Sequence, residues 1–230
     1  MPALQQPDTL QLLEGGQALF PALIRAFDGA SRWIQLETYI FDLHGAGTEV
    51  AEALVRAGRR GVSVQVLVDA IGSEPLPEPW QQKFAQAGVQ WVVYSPLTSR
   101  LGILVPERWR RLHRKLCVVD QQVVFCGGIN ILDDFYDPNH GALQAPRFDF
   151  AVAASGPLAA EATEAMALLW WRVQAGYSAR ERHLGAAWSR FRAAGHGTRT
   201  DAAWLDSPAS GLAPLPGGPG PRRAALVLRD

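Results

Sequence analysis

Apolar residues along this chain change their spacing several times, and the changes mark out alternating helices and strands. Residues 17–30, QALFPALIRAFDGA, place Leu19, Leu23, Ala26 and Phe27 on one helical face. Residues 32–41, RWIQLETYIF, are rich in aromatic and branched side chains and predict a buried strand. A helix over 48–61 ends on a glycine, and residues 62–70, VSVQVLVDA, form a near-continuous valine run suited to a sheet covered on both faces. A helix over 77–88 and a strand over 88–95 follow. Short strands at 115–120 and 123–128 are separated by Gln121-Gln122, which is hairpin spacing without the usual Asn-Gly. A strand at 148–155 and a helix at 156–176 complete the pattern, with Trp170 and Trp171 expected against the core. The βαβα order predicts an α/β/α sandwich around a mixed, largely parallel sheet.

Composition changes after Gly195. Residues 196–223 are rich in Gly, Pro, Ala and Ser and read as a disordered linker. Residues 224–230, AALVLRD, resume an apolar run and read as the start of a second domain, leaving 1–195 as the folded unit. At 230 residues, with 48% hydrophobic and 19% charged side chains, the chain can bury one sizeable core. Lys+Arg and Asp+Glu balance at 22 each, so any attraction to an anionic partner has to come from local clusters. No basic stretch and apolar core open the chain as a secretory signal would, and no run is long enough to cross a bilayer as a helix. Cys117 and Cys126 lie within hydrophobic runs and read as reduced, buried thiols; a disulfide requires those runs to pair side by side.

The chemistry concentrates in residues 112–130, LHRKLCVVDQQVVFCGGIN. Positions two apart share a face of a strand, so His113 and Lys115 point the same way. With Gln121-Gln122 as the loop, opposed positions sum to about 243, which sets Lys115 against Gly128 and His113 against Asn130. Gly127 and Gly128 would leave a bare floor for a ligand. Lysine and asparagine can hold anionic oxygens, Lys115, Asn130 and Gly128 being the candidate phosphate contacts, and a neutral imidazole can attack phosphorus. Such a histidine needs a carboxylate to orient it. Asp149 in FDFAV is the candidate, the alternative being a surface aspartate on an edge strand. Asp120 falls at the turn, about 16 Å along the strand from Lys115, where it should bond backbone or hydroxyl groups. Glu37, an acid inside an apolar strand, is expected near the site or on a backbone donor.

These residues carry a resemblance. His113-x-Lys115-x4-Asp120 with Gly127-Gly128-x-Asn130 resembles the HKD motif of the phospholipase D superfamily. LETYIF, RAGRRGVSVQVLVDAIGS, GGINILDDF and PRFDFAV are similar to bacterial cardiolipin synthases of the B type, over about residues 10–175. The resemblance implies a phosphatidyltransferase that needs no metal or other cofactor and acts through a phosphohistidine. His113 would be the nucleophile, Lys115 and Asn130 the phosphate ligands, Asp149 the orienting acid and Asp120 the remaining motif residue. It implies phosphatidylglycerol as substrate and a peripheral position on the cytoplasmic side of the bacterial inner membrane. It also implies a second HKD half, and none of His44, His140, His183 and His196 has a lysine two residues on. One half of a two-histidine site is therefore expected, completed in cis or by a homodimer mate. Leu132 stands where many superfamily members have serine.

In residues 96–114, Arg100, Arg108, Arg110, Arg111 and Arg114 interleave with Trp109 and aliphatic residues. That mixture suits contact with an anionic membrane through Arg100, Trp109, Arg110 and Arg111. A homodimeric nuclease or phosphodiesterase is the rival enzyme reading, with nucleic acid the disfavoured partner, and an inert truncated fragment that binds phosphate is the non-enzymatic one. The loop DDFYDPNHG, 133–141, matches no metal signature and reads as a substrate-flanking loop.

Overall fold

The computed structural model describes residues 9–94, 111–137 and 141–180. Arg100, Trp109, Arg110, His140 and the expected tail segments 196–223 and 224–230 lie outside them. In chain order the elements are β1 (Thr9–Glu14), α1 (Gly15–Gly29), β2 (Trp33–Thr38), α2 (Ala46–Arg59), β3 (Ser63–Asp69), α3 (Glu78–Ala87), β4 (Val89–Tyr94), β5 (Leu116–Val119), β6 (Val123–Gly127), β7 (Tyr136–Asp137), β8 (Gly141–Ala142), β9 (Phe150–Ser155) and α4 (Pro157–Arg180).

Seven strands form one sheet in the order β1-β9-β6-β5-β2-β3-β4. Helices α1, α2 and α3 cover one face. Phe27, Val50, Leu54 and Phe84 from these helices meet Ile34, Val66, Cys117 and Phe125 from the sheet. Helix α4 covers the other face, where Ala162 and Met166 meet Leu116, Val118 and Val124. Each fully buried Leu, Val or Phe contributes roughly 1.5–3 kcal/mol by leaving water. The sandwich and its mixed sheet are as expected, but the share of parallel pairing is smaller. Among the described residues β2–β3 and β3–β4 are parallel, whereas β1–β9, β2–β5, β5–β6 and β6–β9 are antiparallel. The reason is topological: the chain returns from the β4 edge to pair β5 beside β2, and then continues as a ribbon.

That ribbon differs from expectation by one residue. The turn is built on Asp120 and Gln121, both at positive φ (50° and 59°), and Gln122 N donates to Val119 O at 3.0 Å. Leu116 faces Cys126 and Cys117 faces Phe125, so opposed positions sum to 242, not 243. Lys115 consequently lies against Gly127, whose N–H donates to Lys115 O at 3.2 Å. The same register sends Cys117 into the core beneath α1 and α2 and Cys126 toward α4, so the paired runs still keep the thiols apart and free. Trp170 is buried against Leu67 and Leu112 as expected, while Trp171 is exposed.

Strand β1 is absent from the hydrophobic pattern. TLQLLE has no branched run, and its strand state comes from antiparallel pairing with β9, Thr9 opposite Ser155 through Glu14 opposite Phe150.

Candidate functional site

Of the expected site residues, His113, Lys115, Gly128, Asn130 and Asp149 belong to the end of the sheet where β5 begins, β6 ends and β9 begins. His113 is exposed and Lys115 half-buried. Lys115 Nζ stands 3.3 Å from His113 Nδ1 and 3.4 Å from Nε2, and donates to His113 O at 3.2 Å. Tyr39, just past β2, supports both: its ring centroid is 5.1 Å from that of His113, and Lys115 Nζ sits 5.6 Å above it. Burial lowers the Lys115 pKa, and the Asp149 carboxylate partly restores it. An ammonium group with few neighbouring anions and little water is ready to accept a negatively charged oxygen.

Asn130 is oriented by the backbone. Its Oδ1 accepts from Ile40 N at 3.1 Å, leaving the amide NH2 as the group it can offer a ligand. Ile131 N donates to Ile40 O and Asp42 N to Ile131 O, which stitches this segment to the end of β2. Asn130, Tyr39 and Asp149 line a cleft of about 380 Å³ together with Ile71, Leu132 and Arg147.

Gly127 and Gly128, expected as a bare floor, are both exposed. A β-carbon on Gly127 would strike the backbone of Phe150 and Ala151, and one on Gly128 would strike the Asp149 carboxylate. Gly128→Ala is therefore expected to push Asp149 off its place and reduce turnover at least tenfold, with a melting temperature within a few degrees of the wild type. Turnover and melting temperature measured together check this, and unchanged turnover would show that the contact is idle.

Asp149 does not hold the His113 ring in this structure. Its Oδ1 accepts from Phe150 N at 2.7 Å, and the neighbours of the ring among the described residues are Lys115 and Tyr39. Asp120 lies at the far turn, as expected. Its Oδ2 accepts from Ser31 N (2.8 Å) and Ser31 Oγ (3.0 Å), and its Oδ1 from Arg32 N (2.9 Å) and Trp33 N (2.7 Å).

Two arginines expected to face a membrane surface turn inward. Arg111 Nη1 lies 3.7 Å from Asp69 Oδ1, and Arg114 Nη1 lies 3.7 Å from Glu37 Oε2. Both carboxylates are fully buried, and the arginine side chains are 22% and 15% exposed, so neither can extend to a bilayer from this position. Glu37 thus has a cation as partner, where a backbone donor was the other option. Burial pushes its carboxyl up to about 8, against the opposing pull of Arg114. A carboxyl raised in the folded state stabilises the fold below its unfolded value of 4.5, and that contribution is lost as pH rises through about 8. Thermal melts from pH 5 to 9 should show the wild type losing stability relative to Glu37→Gln; parallel curves would contradict the assignment.

The acidic loop is engaged in structure. Asp134 Oδ2 accepts from Gly16 N at 2.6 Å at the start of α1, and Asp137 faces Arg147 at 3.7 Å. Arg147 also donates to Asp133 O, and to Tyr136 O at 2.6 Å. Sequence reasoning missed Tyr39, Asp69 and Arg147. Only Asp69 carried a readable signal, a carboxylate closing a valine strand immediately before Ala-Ile-Gly.

Residues 23–144 match the family described as cardiolipin synthase, PLD-like domain. The chain belongs to this phospholipase D-like family. Cardiolipin synthase B of Salmonella typhi is 33% identical over 199 residues, covering 81% of this chain and 46% of its own length. Cardiolipin synthase B of Escherichia coli (strain K12) is 31% identical over 179 residues, covering 73% and 42%. The chain thus spans less than half the length of these curated relatives. Among solved structures, phosphatidylserine synthase of Haemophilus influenzae Rd KW20 superposes with a TM-score of 0.54 at 16% identity, over 72% of this chain and 36% of that one. That likeness supports the phospholipase D-like fold.

Proposed function

We propose that this chain is one catalytic half of a phosphatidyltransferase of the cardiolipin synthase type. The observation that carries the reading is that His113 and Lys115 stand side by side against Tyr39, which with Asn130 and Asp149 lines the adjoining cleft, in a chain of this family. A ring nitrogen of His113 attacks the phosphorus of phosphatidylglycerol, forming an N–P bond and breaking the bond to the headgroup oxygen. The glycerol leaves with a proton from an acid on a second HKD half. Lys115 and the Asn130 amide hold the non-bridging oxygens as charge builds on them. A hydroxyl of a second phosphatidylglycerol then attacks the phosphohistidine, giving up its proton, so that two phosphatidylglycerols yield one cardiolipin and one glycerol. Asp149, by rotating Oδ2 toward the ring, orients the imidazole in the loaded site.

In this reading the protein rests peripherally on an anionic bilayer from the cytoplasmic side. The exposed apolar side chains of Ile71 and Phe148 adjoin the cleft and support such contact. Among the described residues no helix is long and apolar enough to cross a membrane. The deciding experiment incubates the full chain with phosphatidylglycerol vesicles, alone and with a complementary HKD half. Flotation with the vesicles and cardiolipin appearing when both halves are present are the expected results. Vesicle binding without cardiolipin or glycerol release under either condition would refute the transferase.

A further inference from the structure

We propose that Glu37 and Asp69 are positioning residues, which hold residues 111–115 against the ends of β2 and β3 from beneath so that His113 and Lys115 stand together above. The inference rests on the transferase reading for its catalytic consequence, though not for its geometry.

Contacts on the α4 face supply the first argument. Residues 111–115 lie outside β5, and His113 N donates to Arg111 O at 3.0 Å, yet Leu112 and Arg114 both meet groups on the α4 face of the sheet, while His113 and Lys115 meet Tyr39. Leu112 is buried against Leu67 and Trp170. Its N–H donates to Asp69 Oδ2 at 2.8 Å, and the preceding Arg111 faces Asp69 Oδ1 at 3.7 Å. Arg114, between the two site residues, faces Glu37 Oε2 at 3.7 Å. Strands β2 and β3 are parallel, with Glu37 opposite Leu67, so Glu37 and Asp69 rise from the same face two positions apart.

Glu37 and Asp69 are fully buried, and acids are placed in such surroundings at a desolvation cost that an apolar residue would avoid. Leu112 and Trp170 already pack this face, and Asp69 Oδ1 also accepts from Ile71 N (2.8 Å) and Gly72 N (3.3 Å) in the turn after β3, so Glu37 is the acid that local folding calls for least. What the two acids add is direction. Residues 111–115 precede the first ladder pair of β5, at Leu116, so strand pairing fixes them less than the residues that follow. A pair of buried acids at adjacent strand ends, each facing an arginine, supplies the missing restraint. His113 and Lys115 can then keep a separation of 3.3 Å that depends on side chains with no access to substrate.

The test replaces the Glu37–Arg114 pair with apolar residues of similar volume, Glu37→Leu with Arg114→Met, which commonly preserves stability. Three measurements are made on the full chain: melting temperature, nuclear Overhauser contacts between the His113 and Tyr39 rings, and, with the complementary HKD half present, the yield of 32P-phosphohistidine from labelled phosphatidylglycerol. The double variant should melt within a few degrees of the wild type, lose the ring contacts and drop at least tenfold in phosphohistidine. Glu37→Gln, which keeps a polar group facing Arg114, should restore the contacts. Retained ring contacts in the double variant overturn the inference, as does an undiminished phosphohistidine yield once they are lost. If the double variant does not fold, Arg114→Gln is measured in the same way with the same criteria. Should the wild type form no phosphohistidine, the transferase reading falls, and the ring contacts alone decide the clamp.

Discussion

Substituting His113 with alanine should reduce phosphatidyl transfer by a factor on the order of 10⁴ or more, the scale seen when a covalent nucleophile is deleted. In the proposed mechanism neither neighbour of the ring named above replaces it: Lys115 is assigned to the negative oxygens, and the Tyr39 ring lies beside the imidazole. With the complementary HKD half present, brief incubation with 32P-labelled phosphatidylglycerol should leave label on the wild-type chain in an acid-labile, base-stable linkage. The His113→Ala chain should carry none while binding vesicles as before. Label of the same stability on the alanine variant would move the nucleophile elsewhere. Lys115→Met should behave differently, forming phosphohistidine slowly, because the nucleophile remains and the charge facing the phosphoryl oxygens is gone.

The largest expected loss of stability comes from Asp120→Ala, at the opposite end of the ribbon. Four donors converge on this carboxylate, three of them backbone N–H groups of Ser31, Arg32 and Trp33 at the entry to β2. Hydrogen bonds to a charged acceptor contribute about 1.5–3 kcal/mol each when buried, and less where water can substitute, as it can at Ser31. Asp120 also adopts φ 50°, which alanine tolerates poorly. A net loss of about 2–4 kcal/mol is expected from chemical denaturation. Asn at this position keeps the turn geometry and some acceptor capacity, and should cost less than half as much. Transfer per folded molecule should be unchanged in both. A specific loss of transfer at full stability would give Asp120 a chemical part that its distance from the cleft does not support.

Much of this molecule could be read from its residues because the signals were local. Valines at 62–68 mark a covered strand in any context, and the pairs Lys115/His113 and Gly127/Gly128 are close in sequence, so their neighbourhood is legible without knowing the fold. Errors arose where the answer lay far along the chain. TLQLLE resembles helix sequence and becomes a strand only because β9 presents an open edge to it. The ribbon register differs by one because Asp120, held by Ser31 through Trp33, takes a left-handed conformation, so the two-residue turn falls on Asp120-Gln121 and not on Gln121-Gln122. Arg111 and Arg114 looked like surface charge for the same reason. Their partners, Asp69 and Glu37, lie at the ends of other strands, and nothing near the arginines announces them. The tie expected between Asp149 and His113 was a chemical requirement, and the Asp149 carboxylate instead accepts from Phe150 N.

One consequence of the shifted ribbon concerns oxidation. Because its two thiols are sent to opposite sides of the sheet, peroxide or disulfide exchange cannot staple the ribbon shut, and burial holds both above the ordinary cysteine range. Cys117 is sealed, whereas Cys126 is half-buried and two positions from Gly128. A small alkylating fluorophore would therefore find a single foothold, placing a reporter beside the glycine floor while leaving the imidazole and the ammonium group untouched.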